Sequence, residues 1–127
     1  MSLDITPLVP AGRQVIEAYG NGGFVIAGTR YIGSVIVFPE RTLAWAAAVA
    51  ADVTELGLTP LFEEPLPAEI LVVGCGPRFV PAPGALRPAF KARGVMLEWM
   101  DTGAACRTFN VLLAEGRPVA AALIAVS

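Results

Sequence analysis

The run Ile70-Leu71-Val72-Val73, closed by Gly74-Cys75-Gly76, constrains the fold more than any other segment. It leaves no polar face for solvent, so the strand it forms must be covered on both sides, as strands of parallel sheets are. The following residues supply that cover. Leu86, Ala89, Phe90 and Arg93 recur at helical spacing, and Gly94 is placed to end the helix. Val95 to Met100 reads as a second strand. Asp101 or Thr102 caps a helix running to about Glu115, with Cys106, Phe109, Asn110 and Leu113 on one face. Gly116 closes it, and Val119 to Val126 forms a last strand. The order is strand, helix, strand, helix, strand, and right-handed crossovers then place the helices over the sheet.

The first half is built differently. Val15 to Tyr19 reads as a strand, and Gly20-Asn21-Gly22-Gly23 tolerates the positive φ of a turn. Phe24 to Ile26 and Tyr31 to Phe38 are two further strands, with Ala27-Gly28-Thr29-Arg30 closing a hairpin between them. Pro39 ends the longer strand. Alanines favour a helix over Thr42 to Ala51, but the tight turn before Thr42 favours a returning strand, which is the reading adopted. Leu58 to Glu64 reads as a short helical turn ahead of Pro65 and Pro67. These elements describe an α/β fold: an antiparallel hairpin region leads into a β-α-β-α-β unit on the same mixed sheet. With 127 residues, the expectation is one domain over 1–127 with an ordered core from about 13 to 126.

Composition narrows the function. The net charge is −2 with no basic cluster, against the positive footprint that nucleic acid or anionic lipid demands. The apolar runs Leu43–Ala51 and Pro118–Val126 reach roughly half of the about 20 residues a membrane-crossing helix needs. Met1 to Ile5 lacks the pattern of a secretory leader, and Cys75 and Cys106 are the only cysteines. A cytoplasmic protein with free thiols is therefore expected. The absence of histidine removes Ser-His-Asp and Cys-His nucleophile systems and most catalytic zinc shells. No metal or cofactor is implied.

Ligands of open α/β sheets lie outside the carboxyl ends of the strands. Two such ends stand out, Gly74-Cys75-Gly76-Pro77-Arg78 and Asp101 to Arg107; if their strands are neighbours, both reach one crevice. The candidate pocket is Gly74, Cys75, Gly76, Asp101, Thr102, Cys106, Arg107 and Asn110. Each residue also has a plainer role. The glycine pair fails the dinucleotide pattern at Phe79, and a strained strand-end turn uses glycine for the same reason. Cys106 beside Arg107 at a helix start can carry a thiolate, or it is a small core thiol on a stripe with Phe109 and Leu113. Asp101 is a cap before it is an acid. Arg107 either holds an anion or pairs with Asp101 on the surface. Asn110 is polar on a core face, so it must tie its helix to a neighbouring loop. Trp45 and Trp99 read as core or interface anchors.

Met100 to Arg117, with Gly33-Ser34-Val35-Ile36-Val37-Phe38-Pro39 and Val72-Val73-Gly74-Cys75-Gly76, resembles a small domain-of-unknown-function family. That family includes mitochondrial respiratory complex I assembly factor 3 and the adipogenesis-associated Mth-domain protein. The likeness runs from about Ile16 to Ile124. It implies a three-layer α/β fold around a mixed central sheet, with Thr42 to Ala46 as a strand. It supplies no catalytic residues. Its mitochondrial branch helps to assemble a membrane-bound complex through protein contacts, whereas the absence of an import presequence here fits a bacterial or archaeal form. The expectation is a non-enzymatic binding or assembly module with a protein partner. A homodimer through a sheet edge or the Trp45 region is a further expectation, and a small-molecule or anion site at the strand ends is the alternative.

Overall fold

The computed structural model describes residues 13–63 and 66–127. The expectations placed on Met1 to Ile5 and on Glu64 lie outside those residues. Alternating exposure along Met96-Leu97-Glu98-Trp99 and complete burial of Ile70–Gly74 already distinguish an outer strand from an inner one.

The larger sheet has five strands in the order β5 (Thr42–Trp45), β4 (Ser34–Val37), β8 (Val119–Leu123), β6 (Ile70–Gly74) and β7 (Met96–Met100). β6 is parallel to both β7 and β8, whereas β4 is antiparallel to β8 and β5. The sheet is mixed. β6 and β8 are buried throughout because each has strands on both sides and side-chain cover on both faces.

One face carries α1 (Leu86–Ala92) and the 3-10 turns Ala50–Asp52 and Leu56–Phe62, over a core of Leu71, Val73, Leu97, Trp99 and Phe90. Pro88 falls in the first turn of α1, where its missing N–H costs no helical bond. The other face carries α2 (Thr102–Ala114), whose Ala105, Cys106, Phe109 and Leu113 meet Val35, Val72 and Ala121. Burying one such aliphatic side chain contributes about 1.5–3 kcal/mol.

The hairpin region departs from expectation in two respects. Tyr31 to Phe38 is not one strand. Gly33, at φ 88°, breaks it into β3 (Thr29–Ile32) and β4, and its N–H donates to the Gly22 carbonyl instead of a ladder. β1 (Ile16–Gly20), β2 (Gly23–Ile26) and β3 then form a separate antiparallel sheet, rather than extending the central one. That small sheet packs Ile16, Phe24 and Ile26 into the α2-side core. Thr42–Trp45 is a strand as read, because pairing with β4 outweighs the alanine propensity for helix; Ala46 to Ala48 form no helix either, and the chain makes a 3-10 turn only at Ala50–Asp52.

Candidate functional site

β6 and β7 are parallel neighbours, so their carboxyl ends do reach the same rim. The Cys75 N–H donates to the Met100 carbonyl at 2.8 Å, joining the two corners at once. α2 starts beyond β7 because Asp101 is extended (φ −64°, ψ 160°) and its Oδ1 accepts from the Ala104 N–H at 2.9 Å.

Thr102 then fills the space between the corners. Its N–H donates to the Gly76 carbonyl at 2.9 Å, and the Gly76 N–H donates back to its Oγ1 at 3.1 Å. The same hydroxyl donates to the Ile124 carbonyl at 2.8 Å, so three strand ends meet on one side chain that is 0% exposed. Gly74 is what lets the helix come this close. A Cβ there would lie 2.8 Å from Thr102 Cα and 3.2 Å from Ala105 Cβ. The vacancy left by the glycine is occupied by α2 itself.

The remaining candidates disperse. Cys75 is buried in the core on the α1 side, with its Sγ 3.5 Å from the Arg78 carbonyl. Cys106 is buried in the core on the opposite face of the sheet. Burial pushes its thiol up to about 12, against the smaller opposing influence of Arg107. Burial thus favours the neutral thiol, the weaker nucleophile, over the thiolate. Arg107 is exposed, and among the described residues no ion pair joins it to Asp101, contrary to the surface pairing expected. Asn110 does tie its helix down, to a strand rather than a loop: Oδ1 accepts from the Ile16 N–H at 2.9 Å and Nδ2 donates to the Ile16 carbonyl at 2.8 Å. Cys106, Arg107 and Asn110 thus border an open groove of about 340 Å³ between α2 and β1, away from Gly74 and Gly76.

Two features escaped the sequence reading. Tyr19 reaches from the small sheet to the first turn of α2, where a Cβ on Gly103 would stand 2.6 Å from its hydroxyl oxygen. Nothing in the local sequence links residues so far apart. The other is the outer edge of β7, where Glu69, Arg87, Lys91, Met96 and Glu98 line a groove of about 580 Å³. A neighbouring groove of about 490 Å³, lined by Phe79, Pro83, Pro88 and Trp99, meets it at Arg87. The alternation Met-Leu-Glu-Trp was the available signal: a strand with one polar face is not sandwiched like β6.

Residues 16–124 match the family described as protein of unknown function (DUF498/DUF598). The human NADH dehydrogenase [ubiquinone] 1 alpha subcomplex assembly factor 3 is 36% identical over 114 residues, covering 90% of this chain and 62% of that protein. An uncharacterised protein of Rhodobacter capsulatus is 34% identical over 119 residues, covering 90% of this chain and 86% of its own length. Among solved structures, one described as an outer membrane protein from Bartonella henselae superposes with TM-score 0.83 at 39% identity, covering 92% of this chain and 98% of that one. A Bordetella pertussis protein described as a Mth938-like domain gives TM-score 0.75 at 32% identity, covering 98% of this chain and 92% of its own. The chain spans about three-fifths of the length of the human and bovine assembly factors it matches. Among the described residues no helix is long and apolar enough to cross a membrane. The chain belongs to the DUF498/DUF598 family.

Proposed function

We propose that this DUF498/DUF598 member is a non-enzymatic docking module, acting like the assembly factors it resembles by holding a protein partner through its outer surface. The observation that carries this reading is the rim. The place where an α/β sheet ordinarily presents a ligand is taken by Thr102, with three hydrogen bonds and no exposed surface. The thiol nearest to a catalytic setting is buried and held neutral. The surface, by contrast, keeps large apolar side chains in solvent: Phe79 and Met96 are each 61% exposed beside the grooves of β7. Similarity to assembly factor 3 supports a role in bringing subunits together rather than in turnover.

The reading treats the chain as one domain working in a reducing, cytoplasmic setting. Two free cysteines buried in separate cores support that setting, since neither is placed to bridge the other. The test is affinity capture of the tagged full chain from its own cells, alongside Cys106→Ala and Asp101→Asn. The expected result is a partner in stoichiometric amount, retained by both variants. Repeated recovery of the chain alone would defeat the reading, as would a complex lost on Cys106→Ala in a protein that remains folded.

A further inference from the structure

The outer edge of β7 offers backbone groups and charge together. The Met96 N–H donates to the Glu69 carbonyl, and the Met100 carbonyl accepts from the Cys75 N–H. The backbone of Met96, Glu98 and Met100 therefore turns toward β6, and alternation turns that of Leu97 and Trp99 outward. Among the described residues no strand lies beyond β7. One outward group is guarded: Arg87, on α1, donates from its guanidinium to the Leu97 carbonyl at 2.9 Å. A charged side chain laid on an open edge is a common way of blunting it.

Arg87 and Lys91 stand one turn apart on the exposed side of α1, and among the described residues neither has an ion pair. Glu69 lines the same groove but forms an ion pair with neither, and like charges at this spacing repel mildly, so a carboxylate placed between the two cations gains from both. On the opposite face of the edge Met96 is 61% exposed and Glu98 stands beside it. A strand added here would alternate its side chains between these two environments.

We infer that the β7 edge receives an extended, acidic segment of a partner protein, which pairs with the backbone of Leu97 and Trp99 and presents carboxylates to Arg87 and Lys91. Arg87 changes partner on binding: it releases the Leu97 carbonyl to the incoming backbone and takes a carboxylate instead. A second copy of this chain does not fit the charges. Two-fold pairing of two β7 edges brings like face to like face, setting Arg87 and Lys91 against their copies on one side and the two Glu98 residues near each other on the other. This inference rests on the docking reading above and specifies its surface and partner chemistry.

The test uses the full chain and short blocked strand peptides that alternate glutamate with threonine or valine, the same peptides with lysine for glutamate, and an N-methylated glutamate version that cannot pair. Amide hydrogen exchange is followed by NMR. The glutamate peptide is expected to slow exchange at Leu97 and Trp99 by about tenfold or more and to bind about tenfold tighter than its lysine counterpart at low salt, with the preference fading at about 0.5 M salt. Arg87→Gln with Lys91→Gln, both at exposed positions, should abolish that preference while leaving the chain folded. Unchanged exchange at both amides, or protection by the N-methylated peptide, would overturn strand addition. Equal binding of acidic and basic peptides would overturn the charge assignment. Protection that rises with protein concentration alone would give the edge to a second copy. A captured partner that cross-links far from β7 would remove this inference and leave the docking reading standing.

Discussion

Replacing Thr102 by valine removes one hydroxyl while nearly preserving shape, and so isolates what closes the rim. The side chain is fully buried, accepts from the Gly76 N–H at 3.1 Å and donates to the Ile124 carbonyl at 2.8 Å. Valine leaves both backbone groups without that partner, and an unsatisfied buried group costs about 1–3 kcal/mol. The two groups together span about 2–6 kcal/mol, and the low end, about 2–3 kcal/mol, applies because one of them is a carbonyl, less costly to leave unpaired than an N–H, and the bond from the residue 102 N–H to the Gly76 carbonyl still holds the corner in place. For a chain of this size that is a fall in Tm of about 6–12 °C. Thr102→Ser keeps the hydroxyl and loses one methyl, about 1 kcal/mol. Urea unfolding of the three proteins with a common m-value measures the difference. If valine proves within about 0.5 kcal/mol of the parent, or no worse than serine, the hydroxyl does not hold the strand ends together.

Other consequences follow from neighbouring contacts. Gly74→Ala drives a Cβ to 2.8 Å from the Thr102 Cα, a backbone atom with nowhere to move, and should cost about 2–3 kcal/mol in the same unfolding assay. Asn110→Ala breaks both bonds to the Ile16 backbone and should cost about 1–3 kcal/mol, with β1 amides the first to lose exchange protection. Cys106 should resist thiol reagents in the folded protein at pH 7 to 9 and react on unfolding, because its folded pKa is about 12 against an ordinary 9.0. Linkage adds a signature: the raised folded pKa leaves this contribution to stability intact below pH 9.0 and removes it as pH climbs from there through about 12. Cys106→Ala should flatten that alkaline decline.

The second half of the fold was legible because its signals are local and repeated. Ile70 to Val73 could only be an inner strand, and Asp101 caps α2 with the Ala104 N–H as its residue type suggests. The first half hid one decision in one residue: nothing in Tyr31 to Phe38 is a poor strand former except Gly33, whose positive φ sends the chain from one sheet into another. The candidate site shows a different limit. Sequence put the Gly74 and Asp101 corners on one rim only if their strands were neighbours, which they are, but it could not say what fills the gap. A glycine beside a helix start reads equally as room for a ligand or room for the helix, and only the Thr102 contact decides between them. Cys75 and Cys106 diverge for a similar reason. Which face of the sheet each thiol takes depends on the turn after β6 and on the rotation of α2, neither of which is written in spacing.

Native-state hydrogen exchange at the amides of Gly76 and Thr102 probes the closed rim most directly. Both N–H groups are bonded across the corner, so they should exchange as slowly as the inner amides of β6 and open only with the whole domain. Exchange at loop-like rates in an otherwise stable protein would mean that the corner opens on its own, and a ligand site at the strand ends would return in place of the outer surface.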